Sequence, residues 1–266
     1  MIDLHCHLIP GIDDGAKSMA EALEMMRIAQ GEGIKTIVCT PHYYEGLMTP
    51  SIEEIQQNFL DLRRKAEANS IDLELILGQE VFLTPDIPKS IKNGEILKLN
   101  RDTQYLLVEF PHGEVPRYAK EIIFNLLVEG IVPILAHPER NISILKEPNI
   151  LKDLIDRGVL VQLNASSLTG HYGEWVAEGA RTLVKHKMVH FLGTDAHSTG
   201  RRGPFMKRAT YMIEDIAGKK LVRQLTEENP AKALSGKKIE VEKPLEVQTT
   251  RPSFFRRIWE SAFLGR

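Results

Sequence analysis

Seven short β-branched runs, separated by amphipathic helical stretches, restrict this chain to architectures built from parallel βα units. The runs lie near 2–7, 34–40, 73–77, 104–109, 131–136, 159–164 and 189–194. Between them stand segments such as SMAEALEMMRIAQGEG and SIEEIQQNFLDLRRKAEANS. Each opens on a capping box, Ser18 with Glu21 and Ser51 with Glu54, in which each side chain satisfies the other's backbone N–H. Gly33, Gly130 and Gly158 close helices just before the next run. Seven strands in series predict a closed or nearly closed β/α barrel, one short of the usual eight, with an open doubly wound sheet as the alternative. At 266 residues the chain suits one large α/β domain better than two small ones. It contains no GxGxxG, no Walker A loop and no repeat of solenoid length.

In β/α barrels chemistry gathers at the carboxyl ends of the strands. In MIDLHCHLIPGIDDG, His5 and His7 end the first strand and share one face, because residues i and i+2 of a strand point the same way. Asp13 and Asp14 follow closely. His42 comes after the second strand, Glu80 after the third, and Glu109 ends the fourth. His137 ends the fifth, and Asp195 with His197, again two apart, end the seventh. Each has an ordinary explanation alone: strand histidines are often exposed, and a carboxylate after a strand is often a helix cap. Their convergence on one rim is what points to metal. The remaining histidines, His112, His171, His186 and His190, fall in loops, a helix or the wrong end of a strand, and are set aside. Imidazole and carboxylate without cysteine favour Mn, Fe or Zn in a catalytic centre over a closed structural zinc site. The set is too large for one ion and suits two or three, with Glu80 placed to bridge.

A net charge of −2 offers no global field for nucleic acid or anionic membrane. The first residues already read as a strand rather than a secretory leader, and no apolar run reaches a membrane span, so a cytoplasmic chain is expected. Cys6 and Cys39 fall inside strands and read as buried, reduced thiols. A cysteine-based phosphatase requires an arginine at a fixed distance after its nucleophile, and the matching positions hold Ile12 and Glu45.

Taken together, HCH near the amino terminus, the histidine after strand two, GQE, HPER and the late DAH resemble the PHP (polymerase and histidinol phosphatase) superfamily. MIDLHCHLIPGIDDGAKS, VEFP, AHPER and GTDAHS are similar, more narrowly, to its manganese-dependent bacterial tyrosine-protein phosphatases, encoded with capsule or exopolysaccharide genes. The resemblance covers about residues 1–236. It implies a distorted seven-stranded β/α barrel, the PHP fold, with a trinuclear centre. Its ligand scheme, carried to this chain, implies one ion on His5, His7, Glu80 and Asp195. A second would sit on Glu80, Glu109 and His137, and a third on Asp14, His42 and His197. Asp14 stands where many superfamily members have histidine, as in the tyrosine phosphatase branch.

Neighbouring cations lower the pKa of a bridging water, so hydroxide can attack phosphorus near neutral pH. Arg140 and Arg202 lie on the same rim, with Arg201 the rival of Arg202, and a planar guanidinium matches a phosphate edge. Asp14, Arg140 and Arg202 are therefore the catalytic candidates. The expected activity is hydrolysis of phosphotyrosine in a protein, a membrane-associated tyrosine kinase of polysaccharide assembly. Histidinol-phosphatase-type chemistry and a non-catalytic kinase-binding regulator are the alternatives; a diesterase or nuclease ranks lower because no basic stripe accompanies the ligands. Residues 237–266 depart from the barrel rhythm. A polar linker leads to SFFRRIWESAFLGR, whose aromatic face predicts an amphipathic tail helix over 253–266, docking on a membrane surface, a partner or the barrel itself.

Overall fold

A computed structural model describes residues 1–101 and 103–248. Among them, nine short strands form two all-parallel sheets. The smaller holds β1 (Ile2–Cys6), β2 (Thr36–Cys39) and β4 (Glu74–Leu77), in the order β1-β2-β4. The larger runs β3 (His42–Tyr43), β5 (Glu80–Phe82), β6 (Tyr105–Glu109), β7 (Val132–Ala136), β8 (Leu160–Asn164) and β9 (Phe191–Gly193), each paired with the next. A parallel bridge between Cys6 and Ala196, with Asp195 N donating to the His5 carbonyl at 2.8 Å, links the end of β1 to the end of β9.

All seven expected runs are strands, but two of them continue further than expected. β2 is followed after two residues by β3, and β4 after two residues by β5. Pro41 lies in the first gap and has no N–H to give the ladder. The line resumes when Glu80 N donates to the Pro41 carbonyl at 3.1 Å. His42 and Glu80, expected in loops, thereby sit in strands and face each other in register.

Alternation along the strands separates a core layer from a polar layer on one face. Tyr105 and Leu107 precede Glu109, Leu160 precedes Gln162 and Asn164, and Phe191 precedes Gly193 and Asp195. Tyr105, Leu107, Ile134, Leu160 and Phe191 pack with Val38 into one buried cluster, joined by Ala233 and Ile239. The larger cluster brings the other strand faces against the helices. Burial of such aliphatic side chains is worth about 1.5–3 kcal/mol each, so the polar layer rests on a stable floor.

Both expected capping serines are seen, Ser18 Oγ accepting from Glu21 N at 3.2 Å and Ser51 Oγ from Glu54 N at 3.1 Å. The reciprocal half differs: Glu21 accepts from Lys17 N, one residue before the cap. The segment read as the start of a linker is also packed. Tyr105 donates to the Lys237 carbonyl at 2.7 Å, Leu245 N to the His186 carbonyl, and Asn149 pairs with both backbone groups of Val247. The tail helix expected over 253–266 lies outside the described residues. Among those described, no helix is long and apolar enough to cross a membrane.

Candidate metal centre

The carboxyl ends of the strands bring together all nine residues singled out as ligands. His5, His7, Glu80 and Asp195 are buried, with one donor atom from each lying within 4.8 Å of the others. A second group with the same spread joins His7, Asp14, His42 and His197, and a third His42, Glu80 and Glu109. His137 stands beside the third, with Nε2 3.0 Å from Glu80 Oε1 and 3.7 Å from Glu109 Oε1. The composition differs from expectation at three points: His7 reaches two groups, His137 belongs to none of the three, and His42 approaches Glu80 at 3.0 Å through Nδ1 and Asp14 at 3.4 Å through Nε2.

Local backbone explains part of this convergence. His137 and Asp195 both adopt left-handed conformations, with φ of 31° and 51°. Such a conformation costs a non-glycine residue about 1–3 kcal/mol, and both lie just past the ends of their strands, β7 and β9, where the extended backbone stops. Their backbone N–H groups are tied to neighbouring strands, His137 to the Gln162 carbonyl and Asp195 to that of His5.

The donor chemistry fits divalent cations. Glu80 Oε2 is buried and has no hydrogen-bond partner, although His5 Nε2, His7 Nε2 and His42 Nδ1 lie 3.0–3.3 Å away. His5 Nδ1 is 2.9 Å from the Gln162 amide oxygen and His7 Nδ1 2.7 Å from Asp13 Oδ2, so each Nδ1 is a donor. Their Nε2 atoms then face each other at 3.1 Å, which requires a positive charge between them, a proton or a metal.

Electrostatics agree. Burial opposes charge on His5 and His7, but Glu80 and Asp195 beside the first and Asp13 beside the second hold both imidazoles above their ordinary pKa. Burial and His7 also oppose charge on His42, yet Glu80 and Asp14 lift it to about 10. Burial and the Glu80 carboxylate push Glu109 up to about 8. Burial and Arg140 depress His137 to about 4. Hydrogen bonds from His197 and then His42 hold the Asp14 carboxyl far below the usual range. The surrounding carboxylates thus favour positive charge at His5, His7 and His42, whereas His137 is held toward its neutral form; cations bound among these carboxylates would displace protons from the first three.

The CpsB/CapC family of capsular polysaccharide synthesis matches residues 1–235. This chain belongs to that family. It is 35% identical over 227 residues to the tyrosine-protein phosphatase YwqE of Bacillus subtilis, covering 85% of this chain and 89% of that protein. Identity with the tyrosine-protein phosphatase CpsB of Streptococcus pneumoniae is 31% over 239 residues, 88% of this chain and 98% of the relative. One crystal structure, from a study of YwqE and CpsB as metal-dependent tyrosine phosphatases, superposes with a TM-score of 0.89 at 34% identity. It covers 93% of this chain and 100% of its own.

In this CpsB/CapC chain the two arginine candidates stand over the cluster. Arg140 donates from Nη1 to Asp195 Oδ2 at 2.9 Å, and its guanidinium lies 4.6 Å from the centre of the Tyr172 ring. Arg202 Nη2 is 3.0 Å from His197 Nε2 and 3.5 Å from Asp195 Oδ2, whereas Arg201 is exposed. Of the two neighbours, Arg202 is the one that lies beside the cluster.

Several rim residues were not legible as such. His112, set aside with the loop histidines, lies 2.8 Å from Arg140 Nη2 through its Nε2 and meets the His137 ring edge-on. The adjacent aspartates divide their tasks. The Asp13 side chain is buried and accepts from His7 Nδ1 and from the backbone N–H groups of His42 and Gly15. Asp14 is half exposed and faces the rings of His42 and His197. β8, the sixth of the seven expected runs and silent in the search for metal-type side chains, contributes the amides Gln162 and Asn164. Amides carry no such signal in sequence. The other three histidines stay apart from the ligands: His190 accepts from Val161 N, His186 ends a helix, and His171 packs on Tyr172.

Cys6 and Cys39 are fully buried, and burial raises both thiols above their ordinary pKa. A thiol-alkylating reagent is therefore expected to leave the rate of the folded protein unchanged. Loss of activity in step with modification of either cysteine would contradict this.

Proposed function

We propose that this chain is a metal-dependent protein-tyrosine phosphatase that hydrolyses phosphotyrosine esters in a protein. The observation that carries the reading is Glu80, a buried carboxylate with an unpartnered oxygen shared among three imidazole nitrogens. The family and the named activities of the relatives support the same substrate class. We further read the two sheets as one distorted seven-strand barrel in which β2 continues into β3 and β4 into β5. Residues 1–236 are its catalytic unit, and 237–266 an appended segment whose end meets a membrane, a partner or the barrel itself. Its partner on this reading is a membrane-associated tyrosine kinase of polysaccharide assembly.

The ligand groups suit two to three cations, manganese by preference. His5, His7, Glu80 and Asp195 would hold one, Glu80, Glu109 and His137 a second, and Asp14, His42 and His197 a third. Such cations supply Lewis acidity, which makes water a stronger acid and offsets charge on a phosphate ester. The rest is done by the chain. Arg140 and Arg202 are fixed donors at the edge of the cluster, aimed where phosphate oxygens gather charge. Asp13 and Gln162 hold His7 and His5 with Nε2 facing inward. The departing phenol oxygen needs less protonation than an alkoxide, because free tyrosine ionises near pKa 10, far below an aliphatic alcohol.

The test is turnover of a phosphotyrosine peptide, histidinol phosphate and a phosphodiester, before and after chelation. The peptide is expected to be preferred, activity to vanish with chelator, and Mn²⁺ to restore it better than Mg²⁺. Preference for histidinol phosphate would reassign the substrate to a small monoester. Full activity in metal-free protein would end the metallophosphatase reading.

A further inference from the structure

Gln162 and Asn164 are fully buried polar side chains on one face of β8, two residues apart. They form a chain of three hydrogen bonds between two candidate ligands of the same ion. His5 Nδ1 lies 2.9 Å from Gln162 Oε1, Gln162 Nε2 donates to Asn164 Oδ1 at 2.9 Å, and Asn164 Nδ2 donates to Asp195 Oδ2 at 2.9 Å.

The polarity of this chain is dictated from one end. Asp195 Oδ2 already receives Arg140, and a guanidinium can only donate, so that oxygen is an acceptor. Its other neighbour must then also be a donor, which places the Asn164 NH₂ toward Asp195 and its oxygen toward Gln162. Gln162 in turn must point its NH₂ at Asn164 and its oxygen at His5. An oxygen facing Nδ1 requires Nδ1–H, and that leaves the Nε2 lone pair of His5 directed at Glu80, His7 and Asp195.

We infer that Gln162 and Asn164 are positioning residues, a two-amide relay that sets the tautomer of His5 and the rotation of Asp195 together. This rests on the metallophosphatase reading above. The relay also engages one oxygen of Asp195 and so leaves Oδ1, 3.5 Å from His5 Nε2 and 3.4 Å from His7 Nε2, as its inward atom. Space around it is reserved by the neighbouring strand. A Cβ at Gly193 would stand 2.8 Å from Gln162 Nε2 and 3.1 Å from His5 Cβ, so any side chain there would push the relay off its partners.

The experiment is calorimetric titration of chelator-stripped protein with Mn²⁺, paired with nitrogen-15 NMR of histidine-labelled, Zn²⁺-loaded protein. Wild type is expected to show a slowly exchanging Nδ1–H on His5. Gln162→Leu keeps the packing but removes the acceptor; it is expected to bind Mn²⁺ about 10–100-fold more weakly and to lose that proton signal. Gln162→Glu keeps an oxygen facing Nδ1 and loses only the NH₂ that donates to Asn164 Oδ1, so it should retain the His5 signal and bind more tightly than Gln162→Leu.

A Gln162→Leu protein with wild-type affinity and an intact His5 signal would overturn the relay, as would Gln162→Glu losing both. If Gln162→Leu does not fold, the His5 proton in Gln162→Glu decides alone: its presence supports the relay and its loss overturns it. Failure of wild type itself to bind Mn²⁺ would instead remove the metallophosphatase reading.

Discussion

Glu80→Gln is expected to abolish turnover of a phosphotyrosine peptide, by roughly 10³-fold or more, and to strip bound manganese while the chain stays folded. Glutamine fills the same volume, so no cavity opens in the layer between β3 and β6. What disappears is the negative charge shared by two of the three ligand groups. Glu80 lies within 3.0–3.3 Å of nitrogens from His5, His7, His42 and His137. Its ionisation opposes a burial penalty, and those imidazoles hold it well below the ordinary carboxylate range. Removing it leaves the imidazoles without a counter-charge, and they respond by losing protons rather than by unfolding the barrel. Circular dichroism should be unchanged and metal analysis well below that of the wild type. A Glu80→Gln protein that keeps its metal and its rate would show that the convergence is structural.

Arg140→Ala is expected to lower turnover by on the order of 10²-fold with metal content unchanged. Arg140 touches a ligand, Asp195, but does not hold it alone: Asn164 donates to the same oxygen at 2.9 Å and would keep Asp195 in place. The loss is then that of a fixed positive donor above the cluster, already oriented by His112 and Tyr172. Arg202→Ala should act similarly, because Arg202 borders His197 and Asp195, whereas exposed Arg201→Ala should do little. Wild-type kinetics in Arg140→Ala would return it to the surface. A parallel loss of metal would mean that it stabilises Asp195 instead.

Much of the molecule was written in local pattern. The strand runs were legible because β-branched residues recur between amphipathic helices, and the ligand candidates because His, Asp and Glu fall where those runs end. Capping serines and the pairing of His5 with His7 on one face follow from spacing alone, since a helix turn and a strand pleat have fixed periods. The division of labour between Asp13 and Asp14 could not be read that way. Adjacent carboxylates in a loop look alike until the chain folds one under His7 and leaves the other facing His42 and His197. The same holds for His112, a loop histidine until Arg140 arrives from 28 residues away.

The sequence alone determined which residues could carry metal chemistry and that parallel strands would present them at one end. Only the tertiary structure decided how they are oriented. Tautomer, rotation and sharing of a ligand depend on hydrogen-bond partners contributed by other strands, as with Gln162 on His5 and Asn164 on Asp195, separated by 157 and 31 residues. A buried polar side chain takes its direction from whatever donor or acceptor meets it, and that partner is set by the fold, not by its neighbours in the chain.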